Sequence, residues 1–307
     1  MLEISAIIFG LLIGSFLSVC IYRIPLGRST GLEELEAELA EADSEEEEEE
    51  SHDEEDITYD INSEHFEEKV TISYPPRSFC PHCGAQLRWW HNIPVFSWVL
   101  LLGKCAFCKT GISPRYPFVE LLSAFFCYLS VTTFPLPTAI VIYLFCAGLI
   151  VLSFIDIDYY LLPNVITYPG FLLGIILALV NHFFHFFSRP IVPTIWDSLL
   201  GVLVGAGVLE LIARLYMWFR NKQGLGMGDI KLLAVTGAFF GMEGAIYTMF
   251  VGSLLGSFVG IFLILIGQGK LSKYLPFGPY LAIATLLYVF TGKELLLLFF
   301  QTLGTVR

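Results

Sequence analysis

The chain has 307 residues, of which 55% are hydrophobic and only 15% are charged, and its mean hydropathy is +0.70. This composition excludes an ordinary soluble domain, in which about 25% of residues are charged. It predicts an all-α polytopic membrane protein. The net charge of −12 comes from one segment, because 20 of the 29 acidic residues lie between Gly31 and Lys69. Lys69 is the only base there, so the rest of the chain carries a net charge of +7.

The first apolar run extends from Ile4 to Tyr22 and predicts a transmembrane helix over residues 1–22. No basic residue precedes this run and no small-residue cleavage site follows it, which favours a retained span over a secretory signal. Residues 23–73 are then a cytoplasmic linker. Its acidic insert, 31–69, repels itself and is predicted to be disordered, with an acidic interaction tail as the alternative.

Seven further apolar runs predict later spans in chain order. They are Tyr116 to Phe134, Thr138 to Ile155, Val165 to Phe187, Trp196 to Phe219, Ile230 to Gly241, Ala245 to Ile266 and Tyr280 to Phe300. The run from Ile230 is too short to cross about 30 Å of hydrocarbon upright. It is re-entrant, tilted into a protein-lined cavity, or fused with its neighbour, so we predict seven to eight transmembrane helices.

Basic residues predict the orientation, since cytoplasmic loops near helix ends collect Lys and Arg. With the N-terminus outside, one side of the membrane receives most of the Lys and Arg outside the acidic insert, from Arg23 to Lys273. The opposite loops hold little beyond Arg189, Lys293 and Arg307. This topology places the end of the third span and the start of the sixth at the same cytoplasmic face.

Four of the seven cysteines form two Cys-x-x-Cys pairs with 21 residues between them. These are Cys80, Cys83, Cys105 and Cys108. The spacing predicts a four-thiolate zinc site, and four protein ligands leave no open position for water, which favours a structural metal. Residues 74–115 are therefore expected to be a zinc-stapled cytoplasmic subdomain. Disulfide pairing is the alternative, and the predicted cytoplasmic side argues against it.

Two carboxylates stand out, because acids at membrane depth are costly. Asp156 ends an apolar run, and Asp229 follows a glycine-rich segment that includes Gly226 and Gly228. Two carboxyl groups that share one proton can hydrolyse a peptide bond, one as general base on water and the other as proton donor. Glycines without Cβ atoms would let the backbone turn sharply and a substrate strand approach.

A purely structural explanation of the same residues is also open. Asp156 or Asp158 would then end one helix at the interface, and Asn164 would cap the next. The two glycines would only break a helix in a loop. Composition and topology alone do not choose between these explanations.

The motifs resemble those of one family. Ile155-Asp156 leading to Pro163-Asn164, together with Gly226-Met-Gly-Asp-Ile-Lys231, is similar to the paired signature of the type IV prepilin leader peptidases, which are Gly-x-Gly-Asp membrane aspartic proteases. The resemblance implies that Asp156 and Asp229 form the catalytic dyad within a peptidase domain over 116–307. Asp158 is expected to tune the dyad, with Gly226, Gly228 and Lys231 in support.

Five further blocks resemble this family in order, and only 31–69 falls outside the resemblance. They are Gly14–Pro25, Pro76–Cys83, Asn92–Trp98, Ser113–Glu120 and Pro276–Tyr280. The resemblance implies prepilin and pseudopilin substrates, cleavage at the cytoplasmic face of the bacterial inner membrane, and methylation of the new N-terminus from S-adenosylmethionine by residues 74–115. It implies a lipid bilayer and no nucleic acid as partners. It leaves the methyl-donor residues and the oligomeric state open.

Two hypotheses from other classes stay open. A transporter would relay protons through intramembrane carboxylates such as Glu120 and Glu210, although the sequence shows no internal repeat. A structural secretion component would hold prepilins without cutting them, and its two aspartates would be replaceable.

Overall fold

The structure is a computed structural model that describes residues 2–26, 77–80, 82–192, 194–220, 226–266 and 276–292. Within these ranges the fold is helical, with two isolated β-bridges. The helices are α1 (Leu2–Arg23), α2 (Phe96–Leu100), α3 (Arg115–Thr133), α4 (Leu136–Tyr159), α5 (Asn164–Phe184), α6 (Ile195–Val202), α7 (Val208–Arg220), α8 (Met227–Leu265) and α9 (Gly278–Thr291). The predicted disorder of 31–69 lies outside the described residues.

Six helical segments of the described ranges are long and apolar enough to cross a membrane. They are α1, α3, α4, α5, α8 and the continuous run Ile195–Phe219, in which a π-helical turn, Leu203–Gly207, joins α6 to α7. The apolar helix α9 is 14 residues long and ends near the limit of the described residues. Every predicted span overlaps one of these helices, so the all-α polytopic architecture is confirmed.

The short predicted span from Ile230 leads directly into its neighbour. Both belong to α8, whose 39 residues would extend about 58 Å if straight, far beyond the hydrocarbon thickness. The helix bends at Gly241, where φ is 71° and ψ is −167°. The two predicted spans thus follow one another directly, separated by a break in helical geometry at a glycine.

The bend leaves backbone carbonyls of α8 that neighbouring segments satisfy. The Ser198 hydroxyl donates to the carbonyl of Ala238 at 2.8 Å, and the Val192 N–H donates to that of Phe239 at 3.1 Å. Asn181 in turn donates to the carbonyl of Val192. A broken helix is tolerated at membrane depth when its polar groups find such partners. The first arm of α8 is thus held firmly inside the protein.

Close helix crossings rely on small residues. A Cβ added to Gly10 or Gly14 of α1 would lie 2.6 Å from a backbone atom of α3, and one added to Gly201 would lie 2.3 Å from the carbonyl oxygen of Gly237. Such contacts drive association where burial from water contributes little. They join α1 to α3 and α6 to α8.

Helix α4 lies at the centre of the core. Its buried side chains pack against those of α8 and α9, and the ring of Phe145 contacts those of Phe239 and Phe240 with centroids 4.8 and 4.9 Å apart. The same helix packs on α1 and α3 through Ile150 and Ile155. This packing brings the end of α4 to the starts of α8 and α9.

Candidate active site and cysteine cluster

Asp156 occupies the last turn of α4 and is only 6% exposed. Its Oδ2 atom accepts a hydrogen bond from the backbone N–H of Gly278, at 2.9 Å. Gly278 is the first residue of α9. A carboxylate held by a backbone amide has a fixed position, and here it also ties the end of α4 to the start of α9.

Asp229 is the third residue of α8 and is half-buried. The charge of Asp156 acts on the carboxyl group of Asp229, so the two groups lie within electrostatic range. The structure thus brings together the two residues that the sequence predicts as a dyad. Their catalytic role stays a prediction.

The two predicted glycines have different surroundings. Gly226 precedes α8 with φ −66° and ψ 130°, a conformation that any residue can adopt, so the turn expected there stays a prediction. A Cβ at Gly226 would lie 3.4 Å from Oδ2 of Asp229, whereas one at Gly228 would lie 2.9 Å from a methyl carbon of Leu162. Because Gly228 has no side chain, the start of α8 can pack closely on Leu162 in the loop after α4.

Lys231 supports the site from the side. Its Nζ atom donates to Oδ1 of Asn164 at 2.8 Å and lies 5.6 Å from the ring centroid of Tyr168. The start of α8 is thereby joined to the start of α5. Asn164 does not cap α5 through its side chain, because Pro163 holds the cap position and the amide oxygen binds Lys231.

Asp158 lies two residues after Asp156 and is exposed. Its carboxylate forms an ion pair with Arg115 at the start of α3. Arg115 also donates to the carbonyl of Phe154 at 2.7 Å and stacks over that ring. These contacts link α4 to the polar segment before α3, and the expected tuning of the dyad by Asp158 stays a prediction.

Sequence reasoning did not assign a role to Gly278, although its block resembled the family. The signal was the unusual spacing of Pro276, Gly278 and Pro279 before an apolar run. A proline at the second position of α9 is compatible with a helix start. A backbone donor, however, is not visible in a sequence, because every residue except proline has one.

The four predicted cysteine ligands meet in one place. Their sulfur atoms all lie within 4.8 Å of one another, with Cys80 and Cys105 buried and Cys83 and Cys108 exposed. All seven cysteines are free thiols, so the disulfide alternative is not adopted. Four soft donors at this spacing fit a tetrahedral zinc ion.

The two halves of the cluster repeat one turn. The N–H of Gly84 donates to the carbonyl of Cys80 at 2.9 Å, and the N–H of Lys109 donates to that of Cys105 at 3.1 Å. Each turn is closed by an isolated β-bridge, Phe79 with Gln86 and Lys104 with Gly111. The turns therefore present two sulfur pairs to a common centre.

The thiols differ in their ionisation. Hydrogen bonds from Thr110 lower the pKa of Cys108 to about 6, whereas burial raises the pKa of Cys80 to about 11. Near pH 7 the first is mainly a thiolate and the second a thiol. A cation between the sulfurs would offset their repulsion and let all four ionise.

Two family models match successive parts of the chain. The model described as Bacterial Peptidase A24 N-terminal domain matches residues 8–134, and that of the Type IV leader peptidase family matches residues 143–261. The first match covers α1, the cysteine cluster and α3, and the second covers both aspartates. No solved structure matches the chain.

Curated relatives match over nearly their whole length. A protein of Pseudomonas putida named prepilin leader peptidase/N-methyltransferase is 34% identical over 97% of this chain and 94% of its own. A protein of Aeromonas hydrophila with the same name is 34% identical over 94% and 90%. These comparisons give no support to the transporter hypothesis. The chain belongs to the type IV leader peptidase family.

Proposed function

We propose that this chain cleaves the leader peptide from prepilins and related pseudopilins and then methylates the new N-terminal amine, with Asp156 and Asp229 as the catalytic pair. The observation that carries the first activity is the buried carboxylate of Asp156, fixed by the Gly278 amide and within electrostatic range of Asp229. The relatives named prepilin leader peptidase/N-methyltransferase support both activities.

Cleavage needs one ionised and one protonated carboxyl group. The ionised one takes a proton from a water molecule, whose oxygen attacks the scissile carbonyl carbon, while the other gives its proton to the carbonyl oxygen. The resulting diol collapses as its C–N bond breaks and the leaving amine takes up a proton. The Gly278 amide holds the carboxylate of Asp156 in place for this reaction.

Methylation takes place on the amine that cleavage releases. S-adenosylmethionine is the methyl donor implied by the family, and it supplies an electrophilic methyl group on a sulfonium ion. Residues 74–115 and the helices that flank them are the part of the chain assigned to this second activity.

Zinc at the cysteine cluster has a structural role in this proposal. Cys80, Cys83, Cys105 and Cys108 would hold it, and four thiolates leave no open position for catalysis. A polar segment this short cannot bury a large core, so the metal supplies the stability of its fold.

The enzyme acts in the bacterial inner membrane with its active site towards the cytoplasm. Three basic residues lie at helix ends on this side: Arg23 ends α1, Arg115 begins α3 and Lys231 lies near the start of α8. Asp158, near the end of α4, pairs with Arg115 there. Basic residues near helix ends favour the cytoplasmic side. A prepilin, itself anchored in the lipid bilayer by an apolar helix, presents its basic leader at that face.

Mass spectrometry of a co-expressed prepilin from the same organism tests the catalytic pair. The leader should be removed by the wild-type enzyme and retained with Asp156→Asn or Asp229→Asn. Asp158→Asn is the comparison variant, since Asp158 pairs with Arg115 at the surface; it should still process the prepilin, at a changed rate if Asp158 tunes the pair. Processing by either variant of the pair would refute the assignment.

A further inference from the structure

A cavity of about 360 Å³ lies between the cysteine subdomain and helices α1 and α3. Its walls include Ser15 and Tyr22 of α1, Val95 before α2, Trp98 of α2 and Glu120 of α3. The buried thiols Cys80 and Cys105 line it as well, so the inner side of the cluster forms part of the wall. A cavity of 300–1,000 Å³ is the usual size of a small-molecule site.

Peptide cleavage leaves this region without a role. Four of the sequence blocks that resembled the family meet here, namely Gly14–Pro25, Pro76–Cys83, Asn92–Trp98 and Ser113–Glu120. None of them contributes a residue to the carboxylate pair. Segments far apart in the chain thus converge on one concave surface beside the metal cluster.

Glu120 is the buried acidic group of the cavity, whose wall also includes the cation Arg23. It is 7% exposed, and its Oε2 atom accepts the backbone N–H of Val95 at 2.6 Å. Neither of the two ion pairs among the described residues includes Glu120. A buried carboxylate without a cationic neighbour is costly, and a bound cation would offset that cost.

The residue that Glu120 holds is strained. Val95 has φ 60° and ψ −49°, a left-handed conformation that a β-branched side chain strongly disfavours. Backbone strain of about 1–3 kcal/mol persists where surrounding contacts enforce it, and it concentrates at ligand sites. Here the carboxylate of a membrane helix enforces it in the wall of the cavity.

Aromatic side chains supply flat apolar surface in the same cavity. The indole N–H of Trp98 donates to the carbonyl of Ile112 at 3.0 Å, which fixes the ring. Tyr22 and Tyr116 line the cavity too. Aromatic faces stack on nucleobases and attract cations.

We propose that this cavity is the binding site for S-adenosylmethionine, in which Glu120 offsets the positive charge of the sulfonium and the aromatic residues, Trp98 among them, bind the nucleoside. The proposal rests on the methylation proposed above and assigns it a site. It joins a buried carboxylate outside the two ion pairs of the described residues, a fixed indole ring and a suitable volume, which a cationic nucleoside requires together.

A second, smaller cavity adjoins the first. It has a volume of about 190 Å³ and shares Ser18, Tyr22, Ser113 and Tyr116 with the first. Its far wall includes Asp158, two residues beyond Asp156. The two cavities together reach from the cysteine cluster to the Arg115–Asp158 ion pair at the end of α4.

The test measures binding of two ligands to the full-length enzyme in detergent by equilibrium dialysis. One is radiolabelled S-adenosylmethionine and the other is its neutral thioether product, S-adenosylhomocysteine. Glu120→Gln removes the charge while its amide oxygen still accepts the Val95 N–H. The Kd for the sulfonium should rise about tenfold or more, and the Kd for the thioether should change less than about twofold. Glu210→Gln, in the Glu210–Arg214 pair outside the cavity, is the matched control and should change neither.

Mapping of the bound donor covers the case in which Glu120→Gln fails to fold. Ultraviolet cross-linking of the labelled donor to the wild-type enzyme should label peptides within 15–23, 92–98 or 113–120, and label elsewhere would overturn the cavity assignment. Equal sulfonium affinity of a folded Glu120→Gln variant would overturn it too. If the wild-type enzyme neither binds the donor nor methylates a cleaved pilin, the proposed methylation itself fails.

Discussion

The carboxylate pair and the cysteine cluster are assembled in different ways. Asp156 receives its hydrogen bond from a residue 122 positions away, across the whole second half of the fold, whereas Cys80 and Cys108 are 28 positions apart. The cluster consists of two local turns that present sulfur pairs. The pair of carboxyl groups exists only because α4, α8 and α9 pack with their ends together.

The difference has a physical consequence for stability. A metal bound by local turns supplies the folding free energy of those turns, about 10–16 kcal/mol for structural zinc sites. The whole subdomain therefore unfolds when the metal leaves. A site held by helix packing is lost in small steps, as single contacts shift its geometry. The two regions should therefore respond to opposite kinds of perturbation.

Removal of zinc should have the largest effect. A chelator or Cys80→Ser should unfold residues 77–112, raise their proteolysis and abolish donor binding, because the cluster forms a wall of the donor cavity. Leader cleavage should persist, since the carboxylate pair depends on α4, α8 and α9. We would measure zinc content, limited proteolysis and leader cleavage on the same preparation. Zinc and protease resistance should be lost while cleavage persists.

Cys20→Ser is the control for that experiment, because Cys20 lies in α1 outside the cluster. Its zinc content should equal that of the wild type. If cleavage were lost when zinc is lost, the cysteine cluster and the carboxylate pair would be one cooperative unit. The proposed difference in their stability would then be wrong.

Gly278→Ala should have the next largest effect, on cleavage alone. An added Cβ would lie 2.7 Å from Oδ2 of Asp156, so the carboxylate or the start of α9 must shift. A displacement near 1 Å of a catalytic group costs about 10²-fold in rate. Steady-state cleavage of a prepilin peptide measures this loss of rate. Methylation of a precleaved pilin should be unaffected.

Gly148→Ala is the matched control, since Gly148 lies in α4 like Asp156 and an added Cβ there has no neighbour within 4 Å. Its cleavage rate should be that of the wild type. A Gly278→Ala enzyme within twofold of wild type would show that the amide contact does not position Asp156.

Much of this contrast is visible in the sequence. The positions of the spans follow from apolar runs, and the cysteine site follows from spacing alone, because each Cys-x-x-Cys turn fixes two sulfurs locally. Asp156 and Asp229 were also identified, through the paired motifs. Their placement at one end of the bundle followed from the distribution of basic residues.

The contacts between distant segments were not visible. Nothing in the sequence connects the Gly278 amide to Asp156 or the Glu120 carboxylate to Val95, since a backbone N–H belongs to almost every residue. The direct join of two predicted spans across the bend at Gly241 was not visible either. It depends on Ser198 and Val192 satisfying carbonyls next to the bend, which is a matter of tertiary packing.

Gly228→Ala should have a smaller effect than Gly278→Ala. Its Cβ would lie 2.9 Å from Leu162, an apolar side chain that can move in part, so we expect a loss of about 1–3 kcal/mol in stability and about tenfold in cleavage. Leu162→Ala in the same chain should restore part of both. Thermal melting and cleavage rates in a double-mutant cycle test the coupling.

Gly226→Ala is the comparison for this cycle. Its Cβ would lie at an ordinary 3.4 Å from the Asp229 carboxylate, so its stability should match the wild type. If Gly226→Ala were the less stable of the two variants, packing on Leu162 would not be the reason for the second glycine of the motif.

The smallest expected effect concerns a difference in stability between the two turns of the cysteine cluster. The fourth residue after the first cysteine is left-handed in both, with φ 66° at Gly84 and φ 62° at Lys109. A left-handed conformation costs an L-residue about 1–2 kcal/mol, and glycine avoids this cost while losing more chain entropy on folding.

Gly84→Lys should therefore lower the stability of the zinc-bound subdomain by about 1 kcal/mol, and Lys109→Gly should raise it by up to about 1 kcal/mol. Competition for zinc with a chelator of known affinity measures both. The two turns have equivalent backbone hydrogen bonds and differ at this residue. The two substitutions should therefore shift zinc affinity in opposite directions. Shifts in the same direction would mean that contacts of the Lys109 side chain, not its backbone, set the strength of the second turn.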